Sequence, residues 1–96
     1  MSYIKNKRDL FEPRCYELWD GCGLPHIQLT KDQGADNILI GRRCAIVEVK
    51  NSNKYKLTPA EKKMKRIIEE AGGIYWIVFD DDTALAVADY VREIAD

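Results

Sequence analysis

The chain reads as one α/β domain, a mixed central sheet flanked by helices in the order α-β-β-β-α-β-α. Three observations predict it. Apolar residues return at helical spacing in three stretches, while four others are short β-rich or alternating runs. The punctuation is strong: Thr58-Pro59 opens a helix and Gly72-Gly73 closes it. Finally, 96 residues suit a single domain over 1–96, and no repeat, linker or low-complexity segment interrupts them.

Taken in order, residues 9–20 put Leu10, Phe11, Cys15, Leu18 and Trp19 on one helical stripe. Asp9 and Glu12 offer a capping box, but Pro13 fits best in a first turn, which moves the start towards Glu12. Gly21-Cys22-Gly23 ends that helix, and 26–30 is a short strand containing His26 at an edge or in a loop. Residues 36–40 and 44–50 are strands joined by the short hairpin loop Gly41-Arg42-Arg43. After a polar loop over 51–57, Thr58 caps a helix with Glu61 closing the box and Met64, Ile67 and Ile68 facing inward. A β-rich run over 74–79 follows. Asp80-Asp81-Asp82-Thr83 then turns into a last helix with Val87, Tyr90, Val91 and Ile94 inward.

Composition narrows the function classes. No apolar run approaches a membrane span, and Met1 to Arg8 is polar and basic, unlike a signal peptide, so a cytoplasmic, non-membrane protein is expected. The cysteines, Cys15, Cys22 and Cys44, are odd in number and read as reduced, mostly buried thiols. With His26 they lack the close Cys pairs of a zinc knuckle. The net charge of −1 hides a dipole: residues 1–66 carry 14 Lys+Arg against 8 Asp+Glu, and residues 67–96 carry 1 against 8. A basic front half can orient on a polyanion while the whole stays soluble.

The strand pair contains the chemistry. A three-residue loop sets Ile40 opposite Cys44, Ile38 opposite Ile46 and Asp36 opposite Glu48. Lys50 is two residues beyond Glu48 and points to the same face. Like charges opposed on a sheet destabilise it. Either one acid holds a proton at a raised pKa, or a cation binds. Two carboxylates, a backbone carbonyl and waters suit a hard ion, Mg²⁺ or Mn²⁺. Cys44 and Ile46 share this face and read as buried.

Asp36 followed by Glu48-Val49-Lys50 resembles the PD-(D/E)XK nuclease core, a restriction-endonuclease-like arrangement. "GADNILI", "LTPAEKK" and "EEAGGIYWIVFD" narrow the likeness to the VRR-NUC branch, related to Holliday-junction resolvases, over roughly residues 9–90. Ala35 stands where that pattern often has Pro, and Glu61 where it usually has Gln. Glu61 either closes the helix cap or approaches the metal site as an accessory group. The pattern also uses an acid from the first helix. Glu12, at a suitable distance before Gly21, takes that role ahead of Glu17.

The resemblance implies a metal-dependent endonuclease acting on DNA phosphodiesters, selective for branched or junction structures. Asp36, Glu48, the Val49 carbonyl and Glu12 would hold Mg²⁺ or Mn²⁺, with Asp36, Glu48 and Lys50 catalytic. Arg42, Arg43, Lys54, Lys56, Lys62 and Lys63 would contact the DNA backbone. The resemblance also implies a homodimer, and the small surface that such a chain offers for gripping a duplex points the same way. The alternative is a non-catalytic nuclease-like module that binds DNA or another protein. Tyr75, Trp76 and Phe79 are expected in the core and not against bases.

Overall fold

The computed structural model describes residues 10–30 and 33–93. Asp9 and Ile94, expected as cap and core, lie outside them. The described residues form α1 (Glu12–Gly21), β1 (His26–Gln28), β2 (Asn37–Ile40), β3 (Cys44–Val49), α2 (Pro59–Glu70), β4 (Tyr75–Val78) and α3 (Asp81–Arg92). The strands make one mixed sheet in the order β1-β2-β3-β4. The pairs β1–β2 and β2–β3 are antiparallel, and β4 runs parallel to β3 after the α2 crossover.

Local chemistry accounts for the boundaries. Pro13 sits in the first turn of α1, where its missing N–H costs nothing. Phe11 is the N-cap and makes no side-chain cap bond. Leu10 therefore precedes the helix and is 87% exposed, not part of the stripe. Thr58 and Glu61 form the reciprocal box at the start of α2, and Asp80 and Thr83 form one at the start of α3. The hairpin keeps the expected register, with Ile40 opposite Cys44 and Ile38 opposite Ile46. Gly41 lets the hairpin dock on the end of α3, since a Cβ there would stand 2.5 Å from the Val91 carbonyl oxygen.

The two faces of the sheet differ. Leu39, Ala45, Val47, Val49 and Val78 point to one side and bury against Cys15 and Trp19 of α1 and Val87, Ala88 and Val91 of α3. The Trp19 indole N–H donates to the Ala84 carbonyl at 3.1 Å, which locks the two helices together. Ile38, Ile46, Glu48 and Tyr75 alternate onto the other side, which α2 covers. Gly34, at φ +91°, lies so close to α2 that a Cβ would stand 2.6 Å from the Ala60 carbonyl oxygen. The Tyr75 hydroxyl donates to the Gly34 carbonyl at 2.6 Å and ties β4 to that loop.

The α2 side is the thinner one. No residue of α2 is fully buried, and the expected core position Ile67 is 52% exposed. Cys44 is exposed and Ile46 only half-buried, against the expectation for that face; Cys22 is half-buried and Cys15 alone is buried. One helix laid over a four-stranded face leaves the hairpin end uncovered. Among the described residues, no helix is long and apolar enough to cross a membrane.

Candidate active site

β3 ends at Val49, and the parallel β4 ends at Val78 beside it, with the Lys50 N–H donating to the Val78 carbonyl at 2.8 Å. The candidate acids gather at this end. Glu48 is buried among α2-side residues. Lys50 Nζ lies 3.6 Å from Glu48 Oε2 and 2.9 Å from Glu61 Oε1. Glu61 thus closes the helix cap, the first of the two roles the sequence left open, and also reaches Lys50. The same Oε1 accepts the Thr58 N–H at 2.9 Å, capping α2, and accepts Lys50.

Asp36 arrives differently from the simple ladder. Cα pairing between β2 and β3 begins at Asn37 opposite Val47, and the Asp36 N–H donates to the Val47 carbonyl at 3.0 Å. Asp36 is therefore outside the strand. Its carboxylate reaches along β3 and accepts the Val49 N–H at 2.8 Å through Oδ2. The three residues read from the register still share one end of β3.

The electrostatics follow from crowding. Burial, a hydrogen bond to Glu61, and the charges of Asp36 and Glu61 push Glu48 up to about 10, with Lys50 opposing. Glu48 therefore holds a proton at neutral pH and donates it to Glu61. Burial alone would raise Glu61 as well. The hydrogen bonds from Glu48, from the Thr58 N–H and from Lys50 outweigh it and hold Glu61 below the ordinary carboxylate range. Burial, with Glu48, Glu61 and Asp36 adding to it, also raises the Tyr75 phenol, which stays neutral.

Glu12 sits on the other side of the sheet edge. The N-terminus of α1 meets the residues just past β3, the Phe11 N–H donating to Asn51 Oδ1 at 3.3 Å. Glu12 is buried, and its Oε2 accepts from Asn37 Nδ2 at 2.9 Å and from the Tyr16 hydroxyl at 2.8 Å. Gln28 Nε2 in turn donates to that hydroxyl at 3.2 Å. Asn37, Tyr16 and Gln28 were not singled out from the sequence. The available signal was Asn37, a polar residue on the inward face of a strand.

The fit to a hard divalent cation rests on the donor set. Asp36 and Glu48 are oxygen donors beside the Val49 peptide, in a site so rich in carboxylates that one must stay protonated. Among the described residues, no three His, Cys, Asp or Glu side chains stand as a ready-made metal cage. Magnesium usually keeps several waters and one or two carboxylates, so a two-acid site suits it.

The basic residues divide. Arg42, Lys54, Lys56, Lys62 and Lys63 are exposed. Lys62, with Lys65 and Arg66, borders a shallow concavity of about 330 Å³ along α2. Arg43, expected with them on a DNA surface, has partners on α3. It stacks 4.1 Å over the Tyr90 ring, donates to the Tyr90 carbonyl at 3.0 Å and pairs with Glu93. A cation at the end of α3 satisfies carbonyls that the helix leaves open. His26 pairs with Asp20 at 2.9 Å and stacks on Tyr16, an edge-strand role.

Compared with family models, curated proteins and solved structures, the chain matches none. The likeness to PD-(D/E)XK nucleases therefore rests on the sequence motifs.

Proposed function

We propose that the chain is a metal-dependent DNA endonuclease, selective for branched or junction DNA, built in the PD-(D/E)XK manner. The observation that carries the reading is the convergence of Asp36, Glu48 and Lys50 at one strand end, where burial, a hydrogen bond to Glu61 and the neighbouring acids raise Glu48. Asp36, Glu48 and the Val49 carbonyl would hold Mg²⁺ or Mn²⁺; Glu12, the further ligand expected from α1, is instead bonded to Asn37 and Tyr16. The bound ion would supply a lowered water pKa and charge neutralisation at the phosphate.

The chain's own residues do the rest. Glu48 must lose its proton to solvent to act as an oxygen donor, while Glu61, hydrogen-bonded beside it, stays ionised and holds Lys50. Lys50 Nζ, steered by Glu61, hydrogen-bonds a non-bridging phosphate oxygen and stabilises charge as it builds. Arg42, Lys54, Lys56, Lys62 and Lys63 bind the DNA backbone without reading bases. The acids of α3 lie on the opposite side of the sheet, so the α2 side is the favourable one for a polyanion. A second copy of the chain supplies further grip and aims two sites at two strands.

The test is incubation with branched and linear DNA, with and without Mn²⁺. Cleavage is expected only with Mn²⁺, and it should vanish in Asp36→Asn and in Lys50→Met while far-UV circular dichroism stays unchanged. Cutting by either variant at the wild-type rate refutes the assignment. One observation favours a non-catalytic DNA-binding module instead: Lys50 is already neutralised by Glu61. Tight DNA binding with no cleavage in Mn²⁺ would select that reading.

A further inference from the structure

The loop after Lys50 contains a feature that the hydrolytic reading does not use. Residues 51–56 are exposed throughout, and Tyr55 stands in them between two exposed lysines, Lys54 and Lys56. The Tyr55 ring, 38% exposed, is held against Phe79, with centroids 6.2 Å apart and planes 29° from parallel. The position of Phe79 is informative. The Lys50 N–H donates to the Val78 carbonyl at 2.8 Å, so Phe79 is the next residue in the chain beyond the one that Lys50 meets. Tyr55 on Phe79 is thus an aromatic step next to the lysine proposed to meet the phosphate.

We propose that Tyr55 is a stacking platform for an unpaired nucleobase adjoining the bound phosphate, flanked by Lys54 and Lys56 on the neighbouring backbone. The inference rests on the nucleic-acid reading above and deepens it: the substrate is DNA with a base free to leave its stack, as at a fork, flap or junction. Three physical points carry it. Phe79 backs the tyrosine ring, which lowers the entropy lost when a base lands on it. Aromatic rings with adjacent cations bind single strands irrespective of sequence, since every base has a π-face. An intact duplex keeps its bases stacked and gains nothing from such a step.

The experiment is binding in EDTA, by fluorescence anisotropy, of a forked duplex with unpaired arms and of a blunt duplex of equal length. Tyr55→Leu and Tyr55→Ala should bind the fork about tenfold more weakly, and Tyr55→Trp should restore it. Blunt-duplex affinity should change less than about twofold in all three, because the backbone cations remain. A 2-aminopurine at the first unpaired position should be quenched by wild type and not by Tyr55→Leu. If Tyr55→Leu holds the fork as tightly as wild type, or loses both duplexes equally, the platform is refuted and the nuclease reading stands. If wild type binds neither DNA, both fall together.

Discussion

Glu48→Gln should make the metal-free protein more stable at neutral pH. Folded Glu48 titrates at about 10, against an ordinary value of 4.5. Between those values the folded protein holds a proton that the unfolded chain has released. A group raised in this way contributes its stability fully below the ordinary value and loses it as pH climbs towards the folded one. One proton is worth about 1.4 kcal/mol per pH unit, so over the 2.5 units from 4.5 to pH 7 the loss is at most about 3.5 kcal/mol. Glu61, held low, works in the opposite sense: its contribution is present above the ordinary carboxylate value and disappears in acid. That contribution survives in the variant, since a glutamine amide can still donate to Glu61. Allowing for coupling within the pair, the expected gain at pH 7 is about 1–3 kcal/mol. Urea denaturation in EDTA from about pH 5 to about pH 9 measures it. Wild type should lose stability with rising pH more steeply than Glu48→Gln, by close to one proton. Parallel curves would mean that Glu48 is ionised in the folded state, and the account of the site would collapse with that result.

Replacing Lys54, Lys56, Lys62 and Lys63 together by Gln should weaken DNA binding and lower the salt slope by roughly 3–4, read from affinity at several salt concentrations. Arg43→Ala should leave that slope unchanged and instead lower stability by about 1–2 kcal/mol, seen in denaturation, because it removes the cover on the end of α3. Sedimentation equilibrium at micromolar protein should report a mass near twice 11.1 kDa; an 11.1 kDa species with full cleavage activity would exclude the proposed dimer.

The sequence was most legible where a residue type has one physical use. Thr58-Pro59 with Glu61 starts α2 as expected, and the three-residue hairpin loop fixes the β2–β3 register. Periodicity alone misled at the edges of the core. Ile67 is half-exposed on α2 itself, whose apolar stripe is wider than its contact with the sheet, and Cys44 lies at the hairpin end, which α2 leaves uncovered. Arg43 looked like its neighbour Arg42 in the chain, and only the docking of the hairpin on α3 separates a structural cation from an exposed one. The exposed Tyr55 between two lysines was visible as a string, but its pairing with Phe79 depends on the parallel β3–β4 contact. No local pattern encodes that contact.

Two acids and a lysine can sit at the end of a small domain's strands because their charges are not independent. Left alone, Asp36, Glu48 and Glu61 would put three negative charges around one ammonium. The fold removes one by keeping Glu48 protonated, and it spreads a second over the backbone, where the Val49 N–H meets Asp36 and the Thr58 N–H meets Glu61. Each of these measures is local and reversible. A cation arriving between Asp36 and Glu48 would displace a proton without disturbing the core, since Val47 and Val49 face the other side of the strand. The thin α2 side, poor in burial but rich in exposed lysine, is then where a small chain can accept a polyanion at little cost to its stability. The strand end is thus held by the Glu48 proton, by Lys50 and by two backbone N–H groups, all supplied by this chain.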